Sequence, residues 1–221
     1  TAAIKTDGTL WTWGYNFFGQ LGDNTQTSRL SPVTTIAGGI NWKQVACGYG
    51  HTLAIKTDGT LWTWGRNIRG ELGDNTVTSR SSPVTTIAGG TNWKQVATRA
   101  AFNAAIKTDG TLWTWGYNLY GQLGTNSTAN TSSPVTTIAG GTNWKQVAGA
   151  TGHTLAIKTD GTLWTWGWND VGQLGDNTTS NRSSPVTTIA GGTNWKQVTC
   201  GESHTAAIKT DGTLWTWGYN I

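Results

Sequence analysis

The stretch Ala54-Ile55-Lys56-Thr57-Asp58-Gly59-Thr60-Leu61-Trp62-Thr63-Trp64-Gly65 returns without a single change from Ala3, Ala105, Ala156 and Ala207, so successive copies stand 51 residues apart. Self-similarity at one period of this length marks a repeat architecture in which each repeat is one supersecondary unit. Within the stretch, Asp58-Gly59 reads as a two-residue hairpin turn, because both residue types tolerate left-handed backbone angles. Its strands are Thr52 to Thr57 and Thr60 to Trp64. Pairing about that turn sets Ile55 opposite Trp62 and Leu53 opposite Trp64, with the four side chains stacked on one face. Helical periodicity is absent, and the Gly, Thr and β-branched content opposes helix.

Two more constant blocks lie outside this hairpin. Ser-Pro-Val-Thr-Thr-Ile-Ala-Gly-Gly starts at Ser31, Ser82, Ser133 and Ser184, and Asn-Trp-Lys-Gln-Val starts at Asn41, Asn92, Asn143 and Asn194. They add a strand over Trp93 to Ala97 and an outer strand over Pro83 to Ile87, where an edge tolerates the proline. A lone four-stranded sheet with apolar residues on both faces cannot bury them, whereas sheets stacked about an axis can. The expectation is an all-β propeller of 51-residue, four-stranded repeats forming one domain over 1–221. Its hairpin cores fall near 2–16, 53–67, 104–118, 155–169 and 206–220. Eighteen strands are expected, three at each end and twelve between. That number does not divide into complete blades, so a closed small ring and a segment of a seven-bladed ring both remain open. Near-identity of the repeats also leaves self-association open.

Composition narrows the function. The formal net charge is +4, with only 12% charged residues. That argues against a disordered polyelectrolyte and against a nucleic-acid binder, which concentrates Lys and Arg on one face. The 15 Trp and 31 Gly suit an aromatic core bent at many turns. No apolar run is long enough to span a bilayer, so membrane insertion is not expected. No signal peptide is present; the chain opens in mid-repeat, and any targeting segment would lie outside it.

Each repeat resembles the RCC1 (regulator of chromosome condensation) repeat. The resemblance is carried by Gly-Tyr-Gly-His-Thr-Leu-Ala-Ile near 50, Asp-Gly-Thr-Leu-Trp-Thr-Trp-Gly-Arg-Asn at 58–67, Gly-Glu-Leu-Gly-Asp at 70–74 and the later Ser-Pro-Val. It spans essentially the whole chain and implies a β-propeller, usually of seven blades. The Trp-rich form is most similar to bacterial members, some of them secreted inhibitors, and so implies an extracellular or cell-surface location. The family's founding member is a nucleotide exchange factor that binds chromatin. All the matched residues are scaffold, so neither activity carries over.

The repeats differ from one another in three windows. After Trp-Thr-Trp-Gly, Tyr15, Phe17 and Phe18 become Arg66, Ile68 and Arg69, then Tyr117, Leu119 and Tyr120, then Trp168, Asp170 and Val171. Before the histidine column, Cys47 to Gly50 (with Tyr49) becomes Thr98 to Ala101 (with Arg99), then Gly149 to Gly152 (with Thr151), then Cys200 to Ser203 (with Glu202). The third window lies around Gln26 to Leu30. The first two belong at the hairpin end opposite the Asp-Gly turn, on one face of the ring. Loops drift, which is the plain explanation. Against it, the Thr-Asp-Gly-Thr turn is also expected to be exposed and is identical in five copies. All six arginines fall in variable windows while every lysine is in a constant block. Tyr, Phe, Trp and Arg are the residue types of interface hot spots. The reading is a diversified recognition face on a constant frame, directed at a protein or a glycan.

Catalytic readings find little support. His51, His153 and His204 share a column that Phe102 also fills, which suits packing better than a metal. Cys47 and Cys200 read as two small buried thiols. The turn aspartates support backbone geometry, no acid–base pair or nucleophile constellation is recognisable, and no cofactor is implied. Asn126, Asn130, Asn177 and Asn181 start glycosylation triplets, a weak signal in so Thr-rich a chain. A non-catalytic binding module is therefore expected, with a self-assembling structural array as the alternative and an enzyme with a channel site as the least supported reading.

Overall fold

The computed structural model describes residues 1–220 as eighteen strands in five antiparallel sheets. The first sheet holds β1 (Ala2–Ile4), β2 (Leu10–Gly14) and β3 (Arg29–Thr34). The second holds β4 (Trp42–Cys47), β5 (His51–Lys56), β6 (Leu61–Gly65) and β7 (Arg80–Thr85). The third repeats the pattern with β8 (Trp93–Thr98), β9 (Phe102–Lys107), β10 (Leu112–Gly116) and β11 (Thr131–Thr136). The fourth has β12 (Trp144–Gly149), β13 (His153–Lys158), β14 (Leu163–Gly167) and β15 (Arg182–Thr187). The fifth has β16 (Trp195–Cys200), β17 (His204–Lys209) and β18 (Leu214–Gly218). The strand number and the incomplete terminal sheets agree with the sequence reading. The grouping does not. Trp93–Thr98 opens the third sheet, and the strand paired with β5 is Trp42–Cys47. The short loop between β4 and β5 folds one back on the other, whereas the Ile-Ala-Gly-Gly connection carries the chain to the next sheet. The outer strand also starts earlier than expected, at Arg80, and contains Pro83, which sits on a free edge that needs no donor there.

The hairpin register corrects a larger error. Ile55 faces Leu61, Ala54 faces Trp62, and Leu53 faces Thr63. The Lys56 amide bonds the Thr60 carbonyl, and the Gly59 amide bonds the Lys56 carbonyl. The loop is therefore the three residues Thr57, Asp58 and Gly59, with only Gly59 left-handed at φ 80°. Asp58 keeps an ordinary φ because its Oδ1 accepts from the amide and hydroxyl of Thr60, 2.9 and 2.7 Å away. A one-residue change of register moves side chains to the opposite face. Leu53, Ile55 and Leu61 thus share one face of the sheet, and Ala54, Trp62 and Trp64 share the other.

This two-faced pattern builds the stack. Leu53, Ile55 and Leu61 of the second sheet pack on Trp93, Val96, Ala105 and Trp115 of the third, and each seam repeats the contact. Polar bonds fix the alignment. The Trp64 indole donates to the Gln20 carbonyl of the preceding sheet, and Trp115, Trp166 and Trp217 do the same to Glu71, Gln122 and Gln173. Leu10, Leu61, Leu112 and Leu163 are buried under the following sheet, whereas Leu214 is 66% exposed. The five sheets form an arc whose fifth member presents an uncovered face. No helix among the described residues is long and apolar enough to cross a membrane.

Candidate recognition face

Strand direction decides which loops meet. In the second to fourth sheets the loops joining first to second strand and third to fourth strand emerge at one end, here the loop end; the first sheet keeps the latter kind of loop and the fifth the former. The Thr-Asp-Gly-Thr turn lies at the other, the turn end. Gly65 pairs with His51, and the Arg66 amide bonds the Gly50 carbonyl at 2.8 Å. Tyr117, Trp168 and Tyr219 make the equivalent bond to Ala101, Gly152 and Ser203. The first two variable windows are therefore adjacent in sheets two to five.

A constant frame holds the loop. Asn67 is fully buried; its Oδ1 accepts from the Leu72 amide, and its amide group donates to Asp74, Thr76 and the Thr78 carbonyl. Asn16, Asn118 and Asn169 play the same part. The loop's return is closed by ion pairs, Arg29–Asp23 at 2.7 Å, Arg80–Asp74 at 3.4 Å and Arg182–Asp176 at 2.7 Å. Burial would raise the Asp23 carboxyl, but hydrogen bonds from Thr25 and Arg29 outweigh it and hold it below the usual range. In the third sheet both partners change together, to Thr125 and Thr131. The six arginines are accordingly not one class: Arg29, Arg80 and Arg182 brace the loop. Asn130 and Asn181, heads of two glycosylation triplets, are likewise engaged, their Oδ1 atoms accepting from the Asn118 and Asn169 amides.

Three positions per sheet carry the first window. The leading ones are Tyr15, Arg66, Tyr117 and Trp168; the tips are Phe17, Ile68, Leu119 and Asp170; the trailing ones are Phe18, Arg69, Tyr120 and Val171. Trailing and leading residues meet across the seams. Arg66 lies 5.7 Å from the Phe18 ring centroid, Arg69 4.3 Å from that of Tyr117, and the Tyr120 and Trp168 rings are 5.8 Å apart. These residues are half-buried, as is Val171. The tips are the free positions, with Phe17 62%, Ile68 55% and Leu119 57% exposed. Asp170 is also exposed, as are Tyr15, which stacks on Phe17, and Tyr49, which lies 5.9 Å from Arg66.

Arg66 has a second partner that sequence reading passed over. Glu71 replaces the glutamine of Gln20, Gln122 and Gln173 in the one sheet where arginine replaces the leading aromatic. Its side chain is fully buried, with Oε1 3.9 Å from Arg66 Nη1 and Oε2 accepting from the Arg69 amide at 2.8 Å. Burial pushes the Glu71 carboxyl above its ordinary value, and those contacts only partly oppose it. The joint change at 66 and 71 was the available signal.

The second window divides in the same way. His51 Nε2 meets Asn103 Oδ1 at 2.7 Å and Thr98 Oγ1 at 3.3 Å, both in the next sheet. His153 meets Thr205 Oγ1 at 3.2 Å. Burial holds both histidines near 4, so they are neutral at pH 7. Phe102, in the same column, is accommodated by Gly149, where a Cβ would sit 3.5 Å from the ring. Among the described residues, no three His, Cys, Asp or Glu converge as a metal site. The cysteines are free, and Cys47 is exposed rather than buried. Its column mates Thr98 and Gly149 are covered by His51 and Phe102 of the preceding sheet. Burial does raise the Cys200 thiol, to about 12. Arg99 is exposed and reaches the Cys200 carbonyl at 3.1 Å, bridging the third and fifth sheets. Thr151 is half-buried and Glu202 exposed.

The family model for the RCC1-like domain matches residues 1–221. The chain belongs to the RCC1-like domain family. It is 34% identical over 215 residues to the Arabidopsis thaliana ultraviolet-B receptor UVR8, a match covering 96% of the chain and 49% of that protein. The crystal structure of human WBSCR16 superposes with a TM-score of 0.84 at 26% identity, over 100% of this chain and 59% of that one. Yeast RCC1 (Prp20), in its complex with Kap60, gives a TM-score of 0.83 at 20% identity, over 99% and 54%. The chain thus spans about half the length of these RCC1-like relatives.

Proposed function

We propose that this RCC1-like chain is a non-catalytic recognition module that binds a protein through its loop end. The observation that carries the reading is the row of tips. Phe17, Ile68 and Leu119 occupy equivalent positions on equivalent backbone, each more than half exposed, and no two are the same residue. Apart from the contacts of Phe17 with Tyr15 and Phe18, no packing requirement distinguishes them, and large exposed apolar side chains aligned on one surface are the makings of an interface. The complex of yeast RCC1 with Kap60 supports the reading, since a protein that shares this fold is there bound to another protein.

The constant isoleucines Ile36, Ile87 and Ile138 supply a matched control, being 60, 59 and 59% exposed. Wild-type chain, a Phe17→Ser/Ile68→Ser/Leu119→Ser variant and an Ile36→Ser/Ile87→Ser/Ile138→Ser variant are immobilised and exposed to lysate of the source cells. Proteins retained by wild type and control but lost from the tip variant are expected. Identical retention by all three would remove the loop end as the binding surface.

A further inference from the structure

We infer that the partner segment bound at the loop end presents carboxylates to the second and third sheets, a statement that rests on the recognition reading above. Charge is polarised along this end. Arg66, Arg69 and Arg99 rise from sheets two and three, whereas the exposed Asp170 and Glu202 rise from sheets four and five. The remaining loop-end arginines are already paired with loop aspartates. Among the described residues Arg69 and Arg99 make no ion pair, and Glu71, the carboxylate nearest Arg66, is fully buried behind it.

The guanidiniums are also oriented. Arg69 is held against Tyr117, and Arg66 sits between Phe18 and Tyr49. A guanidinium held by its face keeps the N–H fork of its edge for a carboxylate, which favours two parallel bonds. Holding it beforehand lowers the ordering cost of binding. The exposed tip Ile68 lies between Arg66 and Arg69 in sequence and supplies apolar contact beside the charges. A nucleic acid fits this arrangement less well. Its phosphates form a continuous polyanion whose binding grows with the number of cations matched, and here three cations share an end with Asp170 and Glu202. A protein segment can place acids over one part of the arc and neutral or basic residues over the other.

The test selects a phage-displayed random dodecapeptide library against the full chain. Enrichment of Asp and Glu together with apolar residues is expected. The selected peptides should bind Arg69→Gln/Arg99→Gln about ten-fold more weakly, a usual loss when charged partners are removed from an interface. Arg182→Gln, from a guanidinium paired to Asp176 in the fourth sheet, should leave binding unchanged. Absence of acidic enrichment, or enrichment of Lys and Arg, overturns the inference. So does an oligo-dT strand bound as tightly and lost with the same arginines, which would make the site a polyanion site. A dimer of the chain that Arg69→Gln/Arg99→Gln dissociates overturns it too, by giving the face to a second copy. If these fail while the tip variant still loses its partners, the recognition reading stands without its charge assignment.

Discussion

The turn end and the loop end of each sheet are both exposed, yet one is constant and the other varies. At the turn end the groups that set the turn are bonded. Asp58 binds Thr60 twice, the Thr60 hydroxyl accepts from the Trp62 indole, and the Gly59 carbonyl accepts from the Trp93 amide. A Cβ at Gly59 would collide with the Thr91 carbonyl oxygen. Constancy there follows from geometry, so it is no measure of how far neutral drift would have gone elsewhere. At the loop end most changes come in compensated pairs: Phe18 with Arg66, Arg66 with Glu71, Phe102 with Gly149, Asp23 with Arg29. The tips, Tyr15, Tyr49, Arg99 and the two exposed acids remain exposed and vary without a compensating change at a second position. The comparison shrinks the candidate face from whole windows to those positions.

The largest test of the comparison is at the turn end. Gly59→Ala places a side chain in a left-handed conformation and against a backbone oxygen that cannot move freely. A loss of about 3 kcal/mol is expected, among the larger single-site effects. Urea unfolding would read it as a lower midpoint with unchanged slope. A loss below about 0.5 kcal/mol, the usual range for surface changes, would mean that the turn is conserved for something other than its fold.

Next in size are the seams. Gly149→Cys sets a Cβ 3.5 Å from the Phe102 ring and adds a sulfur beyond it, an overpacking expected to cost about 2 kcal/mol. Phe102→His recreates the pairing of His153 with the Cys200 column and should recover at least about 1 kcal/mol of that loss in a double-mutant cycle. Additive losses in thermal unfolding would show that the two changes arose independently.

Much of this was legible in the sequence and some was not. The 51-residue period, the strand number and the incomplete end sheets follow from repetition and alternation alone. The register did not, because it turns on whether Asp58 or only Gly59 is left-handed, a choice made by the Thr60 hydrogen bonds. The seam partners Phe18 and Arg66 stand far apart in sequence and touch only because consecutive sheets stack. Their joint variation, like that of Asp23 with Arg29 against Thr125 with Thr131, was visible to a comparison made by pairs of columns rather than by single positions. The tips stood out only once exposure separated them from neighbours of similar chemistry.

Glu71 sharpens the comparison at moderate size. Its folded-state carboxyl is raised, so its contribution is favourable below the unfolded value and is lost as pH climbs through the folded one. Replacing the pair with the residues of the third repeat, Arg66→Tyr/Glu71→Gln, should therefore stabilise the chain at pH 7 by about 1 kcal/mol, as replacement of a whole buried ion pair often does. The advantage should fade as pH falls toward the ordinary glutamate range. The aspartates at 23, 74 and 176, held low, weaken the fold in the opposite direction, at more acid pH. Thermal unfolding of both proteins from pH 4 to 8 separates the two effects, and an advantage constant across that range would deny Glu71 its buried charge.

The smallest expected effect on stability is the one that bears most on function. Phe17→Ser, Ile68→Ser and Leu119→Ser each remove an apolar side chain already largely in water, so each should change stability by less than about 0.5 kcal/mol. Phe17 is the severest of the three, since its ring also touches Tyr15 and Phe18 at 6.3 and 5.1 Å. If Phe17→Ser alone lowered the urea midpoint as far as a seam variant does, the aromatic cluster of the first sheet would belong to the frame. The free part of the face would then begin at Ile68, beside the arginines. If all three are silent in unfolding while binding falls, the tips contribute to recognition and to nothing else, which is the separation of frame from face that the two ends of the hairpin imply.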